Sequence, residues 1–120
     1  MCVVSEFAPR AAWSAGQAMQ RNRTIVGLSL AMILIEAGAT GGSIAAGREA
    51  LRMSVPLFAP EYAGMPETAT GNRELLHEGG RPLLRSRSTM RANLEPVLTA
   101  AQGAAHAPPT PPSPQLALLA

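Results

Sequence analysis

The sequence predicts an α/β fold with a mostly parallel sheet of about four strands flanked by helices. Short apolar runs alternate with segments of helical periodicity over residues 1–98, an order typical of strands joined by crossover helices. One of these runs, Leu30 to Glu36, is apolar almost throughout, as expected for a strand buried on both faces of a parallel sheet. With 120 residues, 47% of them hydrophobic and 15% charged, the chain has room for one small domain.

The predicted strands are short and separated by turn residues. The first stands at the start of the chain and the last is the weakest in β propensity. The four segments are Cys2–Ser5, Leu30–Glu36, Val55–Ala59 and Pro82–Arg85.

Three helices are predicted between these strands, at Gln17–Leu28, Ser43–Met53 and Asn72–Glu78. Asn72 has the side chain of an N-cap residue, and the glycine pair after Glu78 is a typical helix stop.

The end of the chain has a different composition. Residues 99–120 are rich in alanine and include five prolines between Pro108 and Pro114. Proline lacks an amide donor and has a fixed φ, so we expect this segment to be a linker or a disordered tail. The predicted division is therefore a domain over 1–98 and a tail over 99–120.

Several functional classes are disfavoured by composition. Cys2 is the only cysteine, and His77 and His106 lie far apart, so we expect no metal site and no cofactor. Ser5, Ser14, Ser29 and Ser43 have no histidine near them in sequence, so no catalytic constellation is apparent and we expect no enzyme. The longest apolar stretch is interrupted by Ser29 and Glu36, too short to cross a membrane.

The charged residues are uniform in type. All ten basic residues are arginine and all eight acidic residues are glutamate, giving a net charge of +2. The planar guanidinium fork matches phosphate, so this set suits polyanion binding, although a GC-rich coding bias also explains it.

Three segments could contact an anion, each with a plain structural alternative. Ala39–Ser43 is a glycine-rich turn before a helix, or simply a tight βα turn. In Gln20–Thr24, two arginines could bind an anion, or the segment could be a solvated basic turn. In Thr70–Arg73, the amides at a helix start could bind an anion, or the segment could be an ordinary capped helix start. Glu36, at a strand end, could be a general base or ligand contact, or could bond neighbouring amides. None of these is a dinucleotide fingerprint or a Walker A loop.

Six segments form one ordered pattern: SEFAP at 5–9, RNRTIVGLS at 21–29, AMILIEAG at 31–38, GSI at 42–44, TGNRELL at 70–76 and EGG at 78–80. The most specific part of this pattern is an R-N-R-x-I-x-G-L-S motif followed by an apolar strand that ends in Glu-Ala. Taken in order, the segments resemble the second half of the DNA-processing protein A family (DprA, also called Smf). The similarity covers residues 3 to about 85.

This resemblance implies a partial Rossmann-like domain that binds single-stranded DNA and forms dimers. In the family, such a domain acts in the cytoplasm and helps to load the recombinase RecA during natural transformation. The DNA-binding positions carried over are Arg21, Asn22, Arg23, Gly41, Gly42, Ser43, Gly71 and Asn72.

The sequence also departs from the family pattern. Ala18-Met19-Gln20 replaces a Phe-Pro pair and a basic residue, and Glu61 replaces a glycine, so both changes should weaken DNA binding. The family's first half, with its Gly-Ser-Arg turn, and its winged-helix domain have no counterpart here. We therefore expect a truncated or split member that is unstable alone or that self-associates through an exposed sheet edge.

Two alternatives remain open. A related Rossmann-like family of nucleoside-monophosphate phosphoribohydrolases also has a glycine-rich turn and a glutamate, but residues 36–43 lack its P-G-G-x-G-T-x-x-E pattern. The other alternative is a fragment without activity. If DNA is bound, four aromatic residues allow little base stacking, with Trp13 and Tyr62 the best candidates.

Overall fold

The computed structural model describes residues 1–61 and 63–106. Four α-helices, one 3-10 helix and three strands alternate along this part of the chain. None of its helices combines the length and the apolar character needed to cross a membrane. In chain order the elements are α1 (Ala15–Gly27), β1 (Met32–Ile33), α2 (Gly42–Arg52), β2 (Leu57–Pro60), a 3-10 helix (Glu67–Ala69), α3 (Thr70–His77), β3 (Arg81–Leu83) and α4 (Glu95–Ala105).

The three strands form one parallel sheet in the order β1-β2-β3. Met32 pairs with Leu57, and Phe58 pairs with Arg81. Each strand is connected to the next through a helix, which is the connection that parallel neighbours require. The predicted α/β class and parallel sheet are therefore confirmed.

The predicted first strand is wrong, which leaves three strands rather than about four in the described residues. Cys2–Ser5 belongs to no strand, and the side chains of Val3 and Val4 are 78% and 69% exposed. A β-prone segment becomes a strand only when a neighbour accepts its main-chain hydrogen bonds, and no described strand lies beside this one.

Burial on both faces is predicted for the Leu30–Glu36 strand, which contains β1, but it is found in β2 instead. β1 is an edge strand. Ile33, its last residue, and Ile35, two residues beyond it, are both exposed. β2 lies between two neighbours, and its consecutive residues Leu57, Phe58 and Ala59 are all buried. Burial of consecutive residues means that both faces of β2 are covered, because successive side chains point to opposite faces.

The core lies between the sheet and the helices α1, α2 and α3. Its buried members are Val26, Leu34, Ala37, Ile44, Ala50, Leu57 and Leu75. Phe58 lies outside this cluster, and its ring centroid is 5.7 Å from the guanidinium carbon of Arg81. Burying a side chain the size of leucine or phenylalanine contributes about 1.5–3 kcal/mol, so these few residues dominate the stability of so small a domain.

The helix ends follow from local chemistry. Ser14 caps α1, and its Oγ accepts the Gln17 N–H at 3.2 Å. Gly41 precedes α2 with a φ of +109°, and Gly79 follows α3 with a φ of +126°, a region that favours glycine. The N-cap of α3 is Ala69 rather than the predicted Asn72, which lies inside the helix.

Helix α4 was not predicted. It begins with Glu95 and Pro96, which suit a first turn, and continues through alanine-rich sequence with high helix propensity. The predicted domain boundary at residue 98 falls inside this helix. The predicted disorder of the proline-rich tail concerns residues 107–120, which lie outside the described part of the chain.

Candidate nucleic-acid interface

The two predicted arginines on α1 have different surroundings. Arg21 is exposed and forms no ion pair within residues 1–61 and 63–106. The Nε of Arg23 donates to Glu49 Oε1 on α2 at 2.9 Å. Positions two apart on a helix diverge by about 200°, so only one of the two arginines can face α2. Arg21 is therefore the basic group of this segment that is open to an external anion.

Glu49 is also bound by a second arginine, so its carboxylate is held by two helices. Arg52 donates to it through Nη2 at 2.6 Å and through Nε at 3.0 Å. The hydrogen bonds from Arg52, and then the charge of Arg52 and the contact with Arg23, lower the pKa of Glu49 to about 2. The carboxylate is ionised at neutral pH and neutralises part of the basic charge on this surface.

The turn between β1 and α2 has the geometry of an anion-facing helix start. Gly42 and Ser43 open the helix and are exposed, and no side chain caps the helix at Gly41. The first amides of a helix lack acceptors within it and stand at the positive end of its dipole. These amides can therefore donate to a phosphate that approaches along the surface.

A groove of about 610 Å³ joins this turn to α1. Its polar lining consists of Asn22, Glu36, Gly42 and Ser43, and its apolar wall includes Ile25 and Ile33. The tertiary structure thus brings together one residue of the R-N-R motif and two of the glycine-rich turn, which are about twenty positions apart in sequence. We refer to this feature as the α1–α2 groove.

Glu36 gives the α1–α2 groove a negative charge. The residue is exposed and follows β1, at the carboxyl end of the sheet where α/β proteins commonly bind ligands. No hydrogen bond or ion pair to its carboxylate occurs among the described residues, so it is not held by neighbouring amides. A carboxylate here opposes the approach of a phosphate.

Gly71 and Asn72 lie away from this surface and contact the main chain. Asn72 is fully buried; its Oδ1 accepts the Ala37 N–H at 2.9 Å, and its Nδ2 donates to the carbonyls of Ile35 at 2.9 Å and Pro60 at 3.2 Å. The Gly71 N–H donates to Ala37 O at 2.8 Å. These two predicted DNA contacts therefore connect α3 to the segment that follows β1 and to the end of β2.

Two arginines outside the predicted contact set, Arg48 and Arg52, also lie near the turn. Arg48 and Arg52 line a depression of about 490 Å³ together with Thr40 and Gly41. In the sequence, their spacing of four residues after a glycine-rich turn could have indicated a basic helix face, because residues at i and i+4 lie on one face of a helix. Arg48 bridges α2 and α3, with its Nη2 2.9 Å from Glu74 Oε2 and 2.8 Å from Glu78 Oε1.

The aromatic residues contribute little to this surface. Trp13 is exposed, but it precedes α1 and lines none of the depressions described above. The other predicted stacking residue, Tyr62, lies outside the described residues.

Comparison with known proteins agrees with the motif pattern. Residues 1–94 match the family model described as DNA recombination-mediator protein A. Comparisons with curated proteins and with solved structures gave no match. The family match spans the sheet, α1, α2, α3 and the groove residues, and it stops just before α4. The chain belongs to the DNA recombination-mediator protein A family.

Proposed function

We propose that this chain binds single-stranded DNA along the α1–α2 groove as part of a recombination mediator. The observation that supports this most directly is the convergence of Asn22 with Gly42 and Ser43 on one groove. Arg21 is exposed on the same helix as Asn22, where it can add a positive charge to the path of the strand. Membership of the family makes DNA the expected polyanion.

Phosphate contacts should dominate this binding. The described surface near the groove offers amides, an asparagine and arginines, whereas aromatic residues make up only 3% of the sequence. Amides and guanidinium groups bind the backbone without reading sequence, and the counterions they displace make affinity depend on salt. We infer weak, salt-sensitive binding with little sequence preference.

Of the eight proposed contact residues, we assign direct contact to those on the surface. They are Arg21, Asn22, Gly41, Gly42 and Ser43, with Arg23 available once it leaves Glu49. Gly71 and Asn72 act indirectly in this proposal, because they hold Ile35 and Ala37 on either side of Glu36, in the segment that leads from β1 to the glycine-rich turn.

The wider role follows from the family. We propose that the bound strand is passed to RecA during natural transformation, in the cytoplasm, and that the working form is a homodimer. The role is binding rather than catalysis. The α1–α2 groove contains one carboxylate, Glu36, and no histidine or cysteine to act with it.

Fluorescence anisotropy of labelled oligo-dT, with duplex DNA as a control and salt varied, tests the DNA proposal. We expect preference for the single strand and a log–log salt slope of about −0.7 per phosphate contacted. Arg21→Ala should weaken binding and reduce the slope by about one contact.

Arg87→Ala is the matched control for this experiment. It removes the same charge from an exposed loop after β3, at the opposite edge of the sheet. Equal loss of affinity in both variants would show that only net charge matters and would refute the groove as the binding site. Absence of binding by folded protein at low salt would refute DNA binding by this chain.

A further inference from the structure

The β3 edge of the sheet, opposite the α1–α2 groove, has a concentrated positive charge. Four of the ten arginines lie between Glu78 and Glu95, a stretch that contains no glutamate. The rest of the chain has six arginines and eight glutamates, so its net charge is −2, against +4 for this stretch. All four arginines are exposed, and none of them forms an ion pair within the described part of the chain. They are Arg81, Arg85, Arg87 and Arg91.

Three of these arginines belong to a short antiparallel hairpin over residues 84–93, which we call the arginine hairpin. The Asn93 N–H donates to Leu84 O at 2.7 Å. Nearer the turn, the Ser86 N–H donates to Arg91 O at 2.7 Å. The charges therefore lie on an element that is closed by its own main-chain hydrogen bonds.

A pocket of about 460 Å³ opens between the arginine hairpin and the end of β2. Arg85 is part of its lining, and most of the remaining wall is apolar. None of the described lining residues is aromatic. The volume is in the range of pockets that bind ligands. The apolar wall is formed mainly by Pro60, Leu83, Leu84, Met90 and Ala92.

Met90 lines this pocket in an unusual backbone conformation. Its φ is +58°, a region that residues other than glycine rarely adopt. The Met90 N–H donates to Ser86 O at 3.0 Å, and the Met90 carbonyl accepts the Arg85 Nε–H at 2.8 Å. Residues strained in this way persist where the surrounding structure fixes them, and they cluster at ligand-binding positions. The exposed methionine side chain can adapt its shape to an irregular partner.

We propose that the arginine hairpin binds an acidic segment of another protein, with one apolar side chain of that segment in the pocket. Flanking carboxylates of the segment pair with the guanidinium groups, whose planar fork accepts a carboxylate through two hydrogen bonds. The aliphatic wall favours a protein partner over a nucleic acid, because bases bind by stacking on aromatic faces. This site is separate from the α1–α2 groove and goes beyond the DNA binding proposed there.

Glu61 lines the same pocket and opposes an acidic partner. It is one carboxylate beside the three arginines of the hairpin, so the local charge stays positive. Glu61→Gln should therefore raise the affinity for an acidic peptide by about two- to fivefold at low salt. A loss of affinity in this variant would contradict the proposed role of charge.

NMR of the 120-residue chain with 13C-labelled methionine methyl groups tests the proposal, because Met90 lines the pocket and Met32 lines the α1–α2 groove. The probe is a peptide in which one leucine is flanked on each side by two glutamates. We expect it to shift the Met90 signal, which Met90→Leu identifies, and to leave the Met32 signal in place. Absence of a Met90 shift at millimolar peptide and low salt would overturn the proposal.

Two altered peptides separate charge from apolar contact. Glutamine in place of every glutamate should abolish the shift, and serine in place of the leucine should weaken binding about tenfold. Equal binding of all three peptides would refute the proposed recognition.

Oligo-dT is the nucleic-acid arm of the same experiment. It should shift Met32 and not Met90. A Met90 shift caused by oligo-dT, with displacement of the peptide, would assign the hairpin to nucleic acid and overturn the proposal. Failure of oligo-dT to shift Met32 would count against the α1–α2 groove alone, so the two proposals fail separately.

A double variant tests the guanidinium groups themselves. Arg87→Gln with Arg91→Gln should weaken peptide binding about three- to tenfold and leave the circular dichroism spectrum unchanged, since both side chains are exposed. Arg10→Gln with Arg73→Gln is the matched control, because it removes two exposed arginines that lie outside the hairpin. Equal losses in the two double variants would show that only net charge matters and would contradict a site at the hairpin.

Discussion

The carboxamide of Asn72 holds the main chain at Ala37, thirty-five residues earlier, through a 2.9 Å hydrogen bond from the Ala37 N–H to Oδ1. The same side chain donates to the carbonyl of Ile35, two residues beyond β1, and to that of Pro60, the last residue of β2. One buried residue on α3 thus holds the segment that follows β1, which contains Glu36 and leads into the glycine-rich turn, against the end of β2.

Asn72→Ala should destabilise the protein strongly. It removes the partner of the Ala37 N–H and one hydrogen bond each from the part-buried carbonyls of Ile35 and Pro60, at about 1–3 kcal/mol for a group left unsatisfied. Urea unfolding should show a loss of roughly 2–4 kcal/mol, since water can re-enter part of the site. Asn22→Ala is the matched control, because Asn22 is half-buried beside the α1–α2 groove. It should weaken DNA binding with little change in stability, and the reverse pattern would contradict both assignments.

Gly71→Ala should also be destabilising, for a steric reason. A Cβ at this position would lie 2.2 Å from Gly38 O and 2.9 Å from Ala37 O, both main-chain atoms that cannot move independently. We expect a lower Tm and increased exchange of the Ala37 amide. Gly16→Ala in α1 is the control, since a Cβ there meets nothing within 4 Å. It should raise stability by up to about 1 kcal/mol through helix propensity, and equal behaviour of the two variants would refute this account.

The Glu49 ion pairs should make stability depend on pH. The pKa of Glu49 is lowered from 4.5 to about 2 by Arg52 and Arg23, so the folded protein binds the proton less readily than the unfolded chain. The stabilisation is therefore complete above about pH 4.5 and is lost as pH falls towards 2. Comparison of Tm for the unsubstituted chain and Glu49→Gln should show a difference at pH 6 that shrinks towards pH 2. A difference that stays constant with pH would rule out this cause.

Glu49→Gln should strengthen DNA binding, although it lowers stability. Glu49→Gln removes a negative charge and releases Arg23, whose Nε is otherwise occupied. Affinity for oligo-dT should rise although stability falls. Arg23→Ala combined with Glu49→Gln should abolish the gain, and persistence of the gain would show that only the carboxylate charge matters.

Removing the carboxylate from the α1–α2 groove should also strengthen binding. Glu36→Gln should raise the affinity for oligo-dT by about two- to fivefold at low salt, the size expected for one unit charge several ångströms from a phosphate in water. The gain should shrink at high salt. Glu95→Gln, at the start of α4, changes net charge equally but lies outside the groove. An equal gain from Glu95→Gln would place the DNA elsewhere.

Much of the fold follows from local sequence pattern. Helical periodicity and glycine stops placed α1, α2 and α3 to within a few residues, and the apolar runs placed the three parallel strands. These features depend on short-range preferences: the spacing of apolar side chains and the backbone freedom of Gly41 and Gly79. The sequence motifs also identified the family, which the match over residues 1–94 shows.

The roles of individual residues depended on contacts that local pattern does not encode. Asn72 has a sequence context typical of an N-cap, but packing places its amide between two strand ends. Arg21 and Arg23 are the same residue type in one motif, yet only Arg23 contacts Glu49, which is twenty-six residues away in sequence. Local pattern does not predict helix α4, because an alanine-rich segment beside a proline-rich tail is also typical of a linker, although alanine has the highest helix propensity.

Local sequence pattern accounts for the α/β alternation, the parallel sheet and the set of groups able to bind a polyanion. Long-range packing accounts for the burial of β2 rather than β1 on both faces, and for which of the candidate groups reach the surface. Propensity and periodicity act over only a few neighbouring residues. Burial, ion pairing and an open strand edge depend instead on which distant segments pack together.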